Sequence, residues 1–413
     1  MQSISSVNRH KPVLNPLSSP SRAIRILHAV GGMNRGGIET SLIQFLRQMG
    51  RDRFHSDIMV HVDQPCAYDD EVRQLGSHII PCLSPAQPLR YAANFRRVLE
   101  EYGPYDIIHS NVHHFSGYIL KLAHAAKIPI RIAHSHTDIT SLSSQNTWRR
   151  SLYLNLMKWW INRYATIGFA ASEKAAESLF GQHWRTDPRW QVLLCGIDVT
   201  PFRHLGDTST LRTELKIPAD AFVIGHVGRF VEVKNHDLIL KVAAQVVQRE
   251  PKTYLLLVGD GPLRPLIEQE VARLSSADRI IFAGVRPDIP QLMQGAMDVF
   301  LFPSRYEGLG IALVEAQAAG LPCVISDVIP PESDVVKPLV QRVSLTQSAE
   351  VWAEAILSQR NIQPQNQGIY PLELVENSPL NIVKCIQKLE ETYLDSFNEV
   401  QLRVQNTGHI PKK

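Results

Sequence analysis

From Ile24 onward, short runs of apolar and β-branched residues alternate with amphipathic helical stretches, and the whole alternation runs through once and then starts again. No other feature restricts the fold as much. IRILHAV, GGMNRGG and IETSLIQFLRQM read as strand, glycine turn and helix, with Ile38, Leu42, Phe45, Leu46 and Met49 on one helical face. DIMVHV, DIIHS, IRIAHSH, IGFAAS and WQVLLCG continue as strand candidates, with the helix YILKLAHAAK between DIIHS and IRIAHSH. The pattern restarts with FVIGHVGRF, NHDLILKVAAQVVQRE, TYLLLVGDGP and PLRPLIEQEVARL, and RIIFAG, VFLFPS and PCVISD add three short apolar strands. Strands of this kind, alternating with helices, predict an α/β fold of parallel, doubly wound sheets buried on both faces.

The expected organisation is a flexible tail over 1–21, a Rossmann-like domain over 22–200 and a second over 201–378. A C-terminal helix and tail over 379–413 would return to pack on the first domain. The link falls near Cys195 to Phe202, and no period of 20 to 50 residues suggests a solenoid. After Asp327 the pattern weakens, recovers as the helix SAEVWAEAILSQR, loosens across NIQPQNQGIYP, and ends in a helix from about Leu380 to Val404. Two such domains facing each other leave a cleft between the carboxyl ends of their strands, where open α/β sheets bind ligands.

At 413 residues the chain is long for one domain. A formal charge of +3 is too mild for bulk nucleic-acid binding. Cys66, Cys82, Cys195, Cys323 and Cys385 are scattered without CxxC spacing, so sequence indicates neither a disulfide framework nor zinc. A reducing cytoplasm fits that usage. No apolar run reaches the roughly 20 residues of a membrane span, so the expectation is a soluble or peripheral protein.

Three groups could carry chemistry. Gly36 and Gly37 open a helix after the first strand, where a ligand could approach backbone N–H groups; a plain tight turn is the simpler reading. Arg229 and Lys234 follow FVIGHVG at a strand's carboxyl end, where two cations could neutralise a diphosphate, or merely pair with Glu232 or Asp237 on a solvated face. Glu307 and Glu315 flank a helix start at Leu309 and Gly310, so an anion would meet backbone N–H groups while hydroxyls meet carboxylates. Alternatively Glu307 is a turn residue and Glu315 a helix glutamate favoured by the macrodipole.

VGRFVEVKNH, LLLVGDGPLR, FAGVRPDIPQLM and FPSRYEGLGIALVEAQAAGLPCVISD, in that order, resemble the retaining GT-B glycosyltransferases of the family-4 type, whose E-x7-E signature falls on Glu307 and Glu315. The resemblance spans about half the chain. It implies two Rossmann-like domains facing across a cleft, and transfer with retention from a nucleoside diphosphate sugar, UDP-linked, to a glycan or polyprenyl-linked glycan acceptor in exopolysaccharide synthesis. It further implies a catalytic set of His136, Arg229, Lys234 and Glu307, with Arg229 and Lys234 on the donor diphosphate, Glu307 on the donor sugar and His136 near the transferred sugar. Gly36, Gly37, Leu309 and Gly310 would approach the phosphates, Glu315 the ribose, and the Val285 to Arg286 backbone the base. No metal or cofactor is expected beyond the nucleotide-sugar co-substrate. His109 and His134 are weaker candidates that read more simply as core histidines. Cys195 departs from the family, which often carries Asn before GID.

A glycoside hydrolase using both glutamates would leave the diphosphate elements unexplained. A nucleotide-sugar-binding protein without turnover and a non-hydrolysing nucleotide-sugar epimerase are further alternatives. The helix WRRSLYLNLMKWWINRYA is expected to pack with its aromatics in the core and its cations outward; the alternative is peripheral contact with anionic lipid on the inner membrane face.

Overall fold

The computed structural model describes residues 22–136, 148–203, 210–360, 362 and 368–407. The expected tail over 1–21 and the last residues, 408–413, lie outside the described residues. Among those described, the strands form two all-parallel sheets. The first has the order β3-β2-β1-β4-β5-β6-β7, built from Ile24–Val30 (β1), Phe54–Val60 (β2), Ile79–Pro81 (β3), Ile107–Ser110 (β4), Ile130–Ser135 (β5), Ile167–Ala170 (β6) and Trp190–Val192 (β7). The second has the order β10-β9-β8-β11-β12-β13, built from Phe222–Val227 (β8), Thr253–Val258 (β9), Ile280–Gly284 (β10), Val299–Phe302 (β11), Cys323–Ser326 (β12) and Val340–Val343 (β13). These are two Rossmann-like, doubly wound α/β domains.

Strand order reverses between β1 and β4 in one sheet and between β8 and β11 in the other. Each reversal opens a crevice, because the loops leaving its two strands turn to opposite faces. The strands are apolar nearly throughout and covered on both faces: Ile26 and Ile58 lie in one core layer of the first domain, Leu27 and Met59 in the other. In the second domain Ile224 and Leu255 face one layer, Val223 and Leu256 the opposite one. The period-two alternation thus divides two apolar faces rather than an inside from an outside.

The chain leaves the first domain near residue 195 and returns beside the same place. The Ile197 N–H donates to the Leu380 carbonyl (2.8 Å), and the Ile382 N–H donates to the Ile197 carbonyl (3.0 Å). From there the C-terminal helix Ile382–Thr407 lies on the first domain, burying Ile382, Ile386, Leu389, Tyr393 and Phe397 in its core. Its Glu390 accepts from the Gly50 N–H (2.8 Å) and from Arg53 (2.5 Å).

Several local readings need correction. The helix Trp148–Tyr164 buries Met157 and Ile161, but Trp148, Leu152 and Trp159 are 72%, 62% and 58% exposed, so its aromatics are not core residues. Trp160 and Tyr164 are partly covered, Trp160 beneath Lys121 and beside Tyr118, and Tyr164 beside His124. β2 begins at Phe54, ahead of the expected Asp57. Helices Pro88–Tyr102 and Pro371–Asn377 and strand β13 were not foreseen. Among the described residues no helix is long and apolar enough to cross a membrane.

Candidate active site in the interdomain cleft

The second domain's wall of the cleft is assembled at its switch point. Arg229, Glu232 and Lys234 lie in the loop leaving β8, and Arg305 and Glu307 in the loop leaving β11. Asn235 joins them: it adopts the left-handed conformation (φ 58°, ψ 48°), donates to the Pro303 carbonyl (3.2 Å) and accepts from Arg305 (3.1 Å). The Arg305 N–H also donates to the Val233 carbonyl (2.8 Å). Held this way, Lys234 Nζ meets Glu307 Oε1 at 2.6 Å and stands 4.7 Å from the centre of the Phe302 ring. The two side chains are only 15% and 14% exposed, so each stabilises a charge the other has desolvated. Neither Glu232 nor Asp237 is the partner of Lys234; Asp237 pairs with Lys241.

Arg229 extends into solvent from a loop that packs backbone to backbone on the GDG turn after β9. The Phe230 N–H donates to the Asp260 carbonyl (2.9 Å), and the Leu263 N–H donates to the Phe230 carbonyl (3.1 Å). A Cβ at Gly261 would lie 2.5 Å from that carbonyl oxygen, so only glycine permits the approach. In the sequence the GDG run reads as a turn after a strand and as part of a resemblance; its physical work is to position the Arg229 loop.

The helix Ile311–Ala318 starts at Gly310, whose φ of 89° puts the N-cap in the region that glycine tolerates. Leu309 and Gly310 are buried and present the start of that helix to the cleft. Glu315 sits in its second turn, partly buried and without a side-chain partner among the described residues. Burial raises its carboxyl to about 7. Val285 and Arg286 follow β10 at its carboxyl end, and the Arg286 guanidinium is held by Asp288 and Glu214 (both 2.7 Å).

The first domain's wall differs in kind. Gly36 caps the helix Gly37–Gln48 with extended backbone, and the carboxylate of Glu39 folds back over it. Burial raises the Glu39 carboxyl above its ordinary range, opposed by its own backbone N–H and by Arg229 across the cleft. Beyond lies a group of imidazoles. His109 contacts the Tyr393 hydroxyl through Nδ1 (2.6 Å) and His134 Nδ1 through Nε2 (3.0 Å). His136 directs Nε2–H to Asn111 Oδ1 (2.8 Å), an orientation fixed because Asn111 Nδ2 donates to the His109 carbonyl (3.3 Å). Its other nitrogen, Nδ1, is 3.7 Å from the Cys195 thiol. Burial lowers His136 to about 3, with His113 adding repulsion, and lowers His28 to about 3 as well. Burial also holds His109 and His134 well below the usual imidazole range, so these rings are uncharged near neutrality. A cavity opens beside His136, lined on its polar side by Ser41, Asn111 and Cys195 and on its apolar side by Leu42, Leu194 and Ile386.

The structure therefore brings Lys234, Glu307, Gly310 and Arg229 to one switch point, and Gly36, His109 and His136 to the strand ends of the facing sheet. Asn235, Asn111 and Tyr393 were missed: each acts through a contact distant in sequence, and no local pattern marks them.

Two facing Rossmann-like domains, with cations and a helix start on one wall and neutral histidines on the other, define the architecture of a two-domain sugar transferase. Residues 35–200 match the family described as Glycosyltransferase Family 4, and residues 207–367 match Glycosyl transferases group 1. EpsF of Bacillus subtilis (strain 168), a protein named as a glycosyltransferase, is 39% identical over 335 residues, covering 80% of this chain and 86% of that one. An Escherichia coli UDP-Gal:alpha-D-GlcNAc-diphosphoundecaprenol alpha-1,3-galactosyltransferase is 24% identical, covering 76% and 81% of the two chains. Among solved structures, Anabaena Alr3699/HepE in complex with UDP and glucose superposes with a TM-score of 0.74 at 22% identity, covering 90% of this chain and 99% of that one. The chain belongs to the family-4 GT-B glycosyltransferases.

Proposed function

We propose that this glycosyltransferase moves a sugar from a UDP-sugar to a hydroxyl of a glycan or polyprenyl-linked glycan, with retention of configuration, in exopolysaccharide synthesis. The observation that carries the reading is the Lys234–Glu307 pair beside the Gly310 helix start at the β8/β11 switch point. An incoming diphosphate would exchange Glu307 for phosphate oxygens on Lys234, freeing the carboxylate for sugar hydroxyls. Arg229 and the Leu309 and Gly310 N–H groups would share the charge that develops as the bond to the diphosphate breaks. Glu315 would accept from ribose hydroxyls, and the Val285 to Arg286 backbone would meet the base. His136, neutral and half-buried, would hydrogen-bond the transferred sugar near Gly36 and Gly37 without adding charge. With these cations in place, the reaction calls for no divalent metal.

The polyprenyl-linked acceptor is supported by the name of the E. coli relative, which acts on a diphosphoundecaprenol-linked sugar. Such an acceptor places the reaction at a membrane surface. The exposed Trp148, Leu152 and Trp159, with Arg149, Arg150 and Arg163 on the same helix, fit peripheral contact with anionic lipid on the cytoplasmic side. Incubation of the purified chain with UDP-sugars, with and without lipid-linked glycans, tests the reading through UDP release and the anomeric configuration of the product. Acceptor-dependent release and a retained anomer are expected. Acceptor-free conversion of the donor into its epimer, or donor binding without turnover, would overturn it.

A further inference from the structure

We propose that His134, His136 and Cys195 form a binding site for a borderline-soft divalent ion, with zinc the best match, and that the bound ion withdraws His136 from the cleft. The site itself is independent of the transfer reaction; only the consequence for His136 rests on it. One ligand atom from each of the three residues lies within 4.8 Å of the other two. Tetrahedral zinc, with bonds of about 2.0–2.1 Å to nitrogen and about 2.3 Å to sulfur, spaces its ligand atoms roughly 3.4–3.6 Å apart. His136 Nδ1 and Cys195 Sγ already stand at 3.7 Å. The remaining ligand-atom separations are at most 4.8 Å.

Three further observations point the same way. His134 and His136 are two apart at the end of β5, so both rings leave the strand on one side, their centroids 3.8 Å apart. Each ring is oriented through its other nitrogen, His136 Nε2 by Asn111 and His134 Nδ1 by His109. Metal-binding histidines are typically held in this way. His134 Nε2 is buried and has no hydrogen-bond partner among the described residues, a costly state that a bound ion would relieve. With His134 Nδ1–H donating to His109 and His109 Nδ1–H donating to Tyr393, that nitrogen presents a lone pair to the cluster. All three residues line the cavity that Ser41 and Cys385 share.

Two imidazoles and a thiolate with one open position suit zinc better than magnesium or calcium, which prefer oxygen ligands. The thiol comes from Cys195, two residues before the Ile197 bridge to Asn381. The other cluster of similar composition, His55, Asp57 and His78, is already saturated: Asp57 accepts from the His78 backbone and ring, from Tyr105, and pairs with Arg25.

Titration of the reduced full-length protein with Co2+ tests the site directly. One equivalent should produce a sulfur-to-cobalt charge-transfer band in the near ultraviolet, and Zn2+ should displace it. Cys195→Ser should abolish the band and weaken Zn2+ binding about 100-fold or more, while His78→Gln should leave both unchanged. Absence of the band, unchanged binding in Cys195→Ser, or loss of binding in His78→Gln would overturn the proposal. One equivalent of Zn2+ should also lower acceptor-dependent UDP release at least tenfold, reversibly by a chelator. Full release with the ion bound would overturn the withdrawal of His136. If no UDP-sugar is turned over at all, the proposed function fails, and the absorption spectra still decide the site.

Discussion

The two walls of the cleft solve opposite electrostatic problems. The second domain concentrates charge, placing Lys234 on Glu307 at 2.6 Å and Arg229 and a helix start beside them. The first domain removes charge, burying imidazoles until they stay neutral throughout the physiological range. The difference implies a division of labour in which stabilisation of the leaving group comes from one side and shape and neutral hydrogen bonding from the other. Were both walls cationic, the donor would be held as firmly before bond cleavage as after, and ground-state binding would yield no rate.

Lys234→Ala is the most direct attempt to break this division. A folded variant should lose transfer about 100-fold or more, whereas near-normal turnover would mean that the charge is supplied elsewhere. The double variant Lys234→Ala/Glu307→Gln separates the loss of a cation from the stranding of an anion, since it should fold better than the single variant yet stay equally slow. Acid should divide the domains as sharply. His28, His61, His109, His114, His134 and His136 of the first domain have depressed values, against His226 and His236 in the second. Above about pH 6.5 these rings are neutral folded or unfolded; as pH falls below it the unfolded chain binds more protons, and stability drops by up to about 1.4 kcal/mol per pH unit for each. Hydrogen exchange at pH 7 and pH 5 should therefore show β1, β4 and β5 losing protection before β8 and β11. Equal or reversed loss would erase the contrast.

Smaller effects sharpen it. Gly261→Ala, which drives a Cβ against the Phe230 backbone, should cost about 1–3 kcal/mol by denaturant unfolding and raise the donor KM by displacing Arg229. Glu315, raised to about 7, should make donor binding weaken a few-fold as pH falls from 8 to 6, because its protonated form accepts hydroxyl protons poorly. Isothermal titration should find that slope flattened in Glu315→Gln. Replacing Trp148 and Trp159 with Ser should change stability by less than about 0.5 kcal/mol each, yet release the protein from anionic vesicles in flotation. Unchanged flotation would remove the exposed helix from the account of the acceptor side.

Much of this was legible from the chain, and the parts that were not share a cause. Apolar strands and glycine turns announced both sheets because buried parallel strands have a local signature. Helix Pro88–Tyr102 escaped because its fully buried residues, Tyr91, Phe95 and Val98, lie in a segment crowded with arginine and glutamate. β13 escaped because it is a four-residue edge strand containing Arg342. At the site, Glu307 and Lys234 could each be singled out, but sequence proximity suggested Glu232 or Asp237 as partners, while the actual partner lies 73 residues away. The contacts of His134, His136 and Cys195 are likewise products of tertiary folding. The exposed rings of the Trp148–Tyr164 helix ran against expectation because aromatic content says what a helix could bury, not what stands opposite to receive it.

The double passage of the chain between domains has a mechanical consequence. Because Ile197 is bonded to both Leu380 and Ile382, the two crossings lie side by side as one short ribbon. Two paired crossings resist twisting and separation more than a single strand would, and the Lys174 ammonium, donating to the Val328 carbonyl (2.8 Å), ties the domains at a second place. The wall bearing Arg229 and Lys234 and the wall bearing His136 are thereby tied at two places, which holds them in one register.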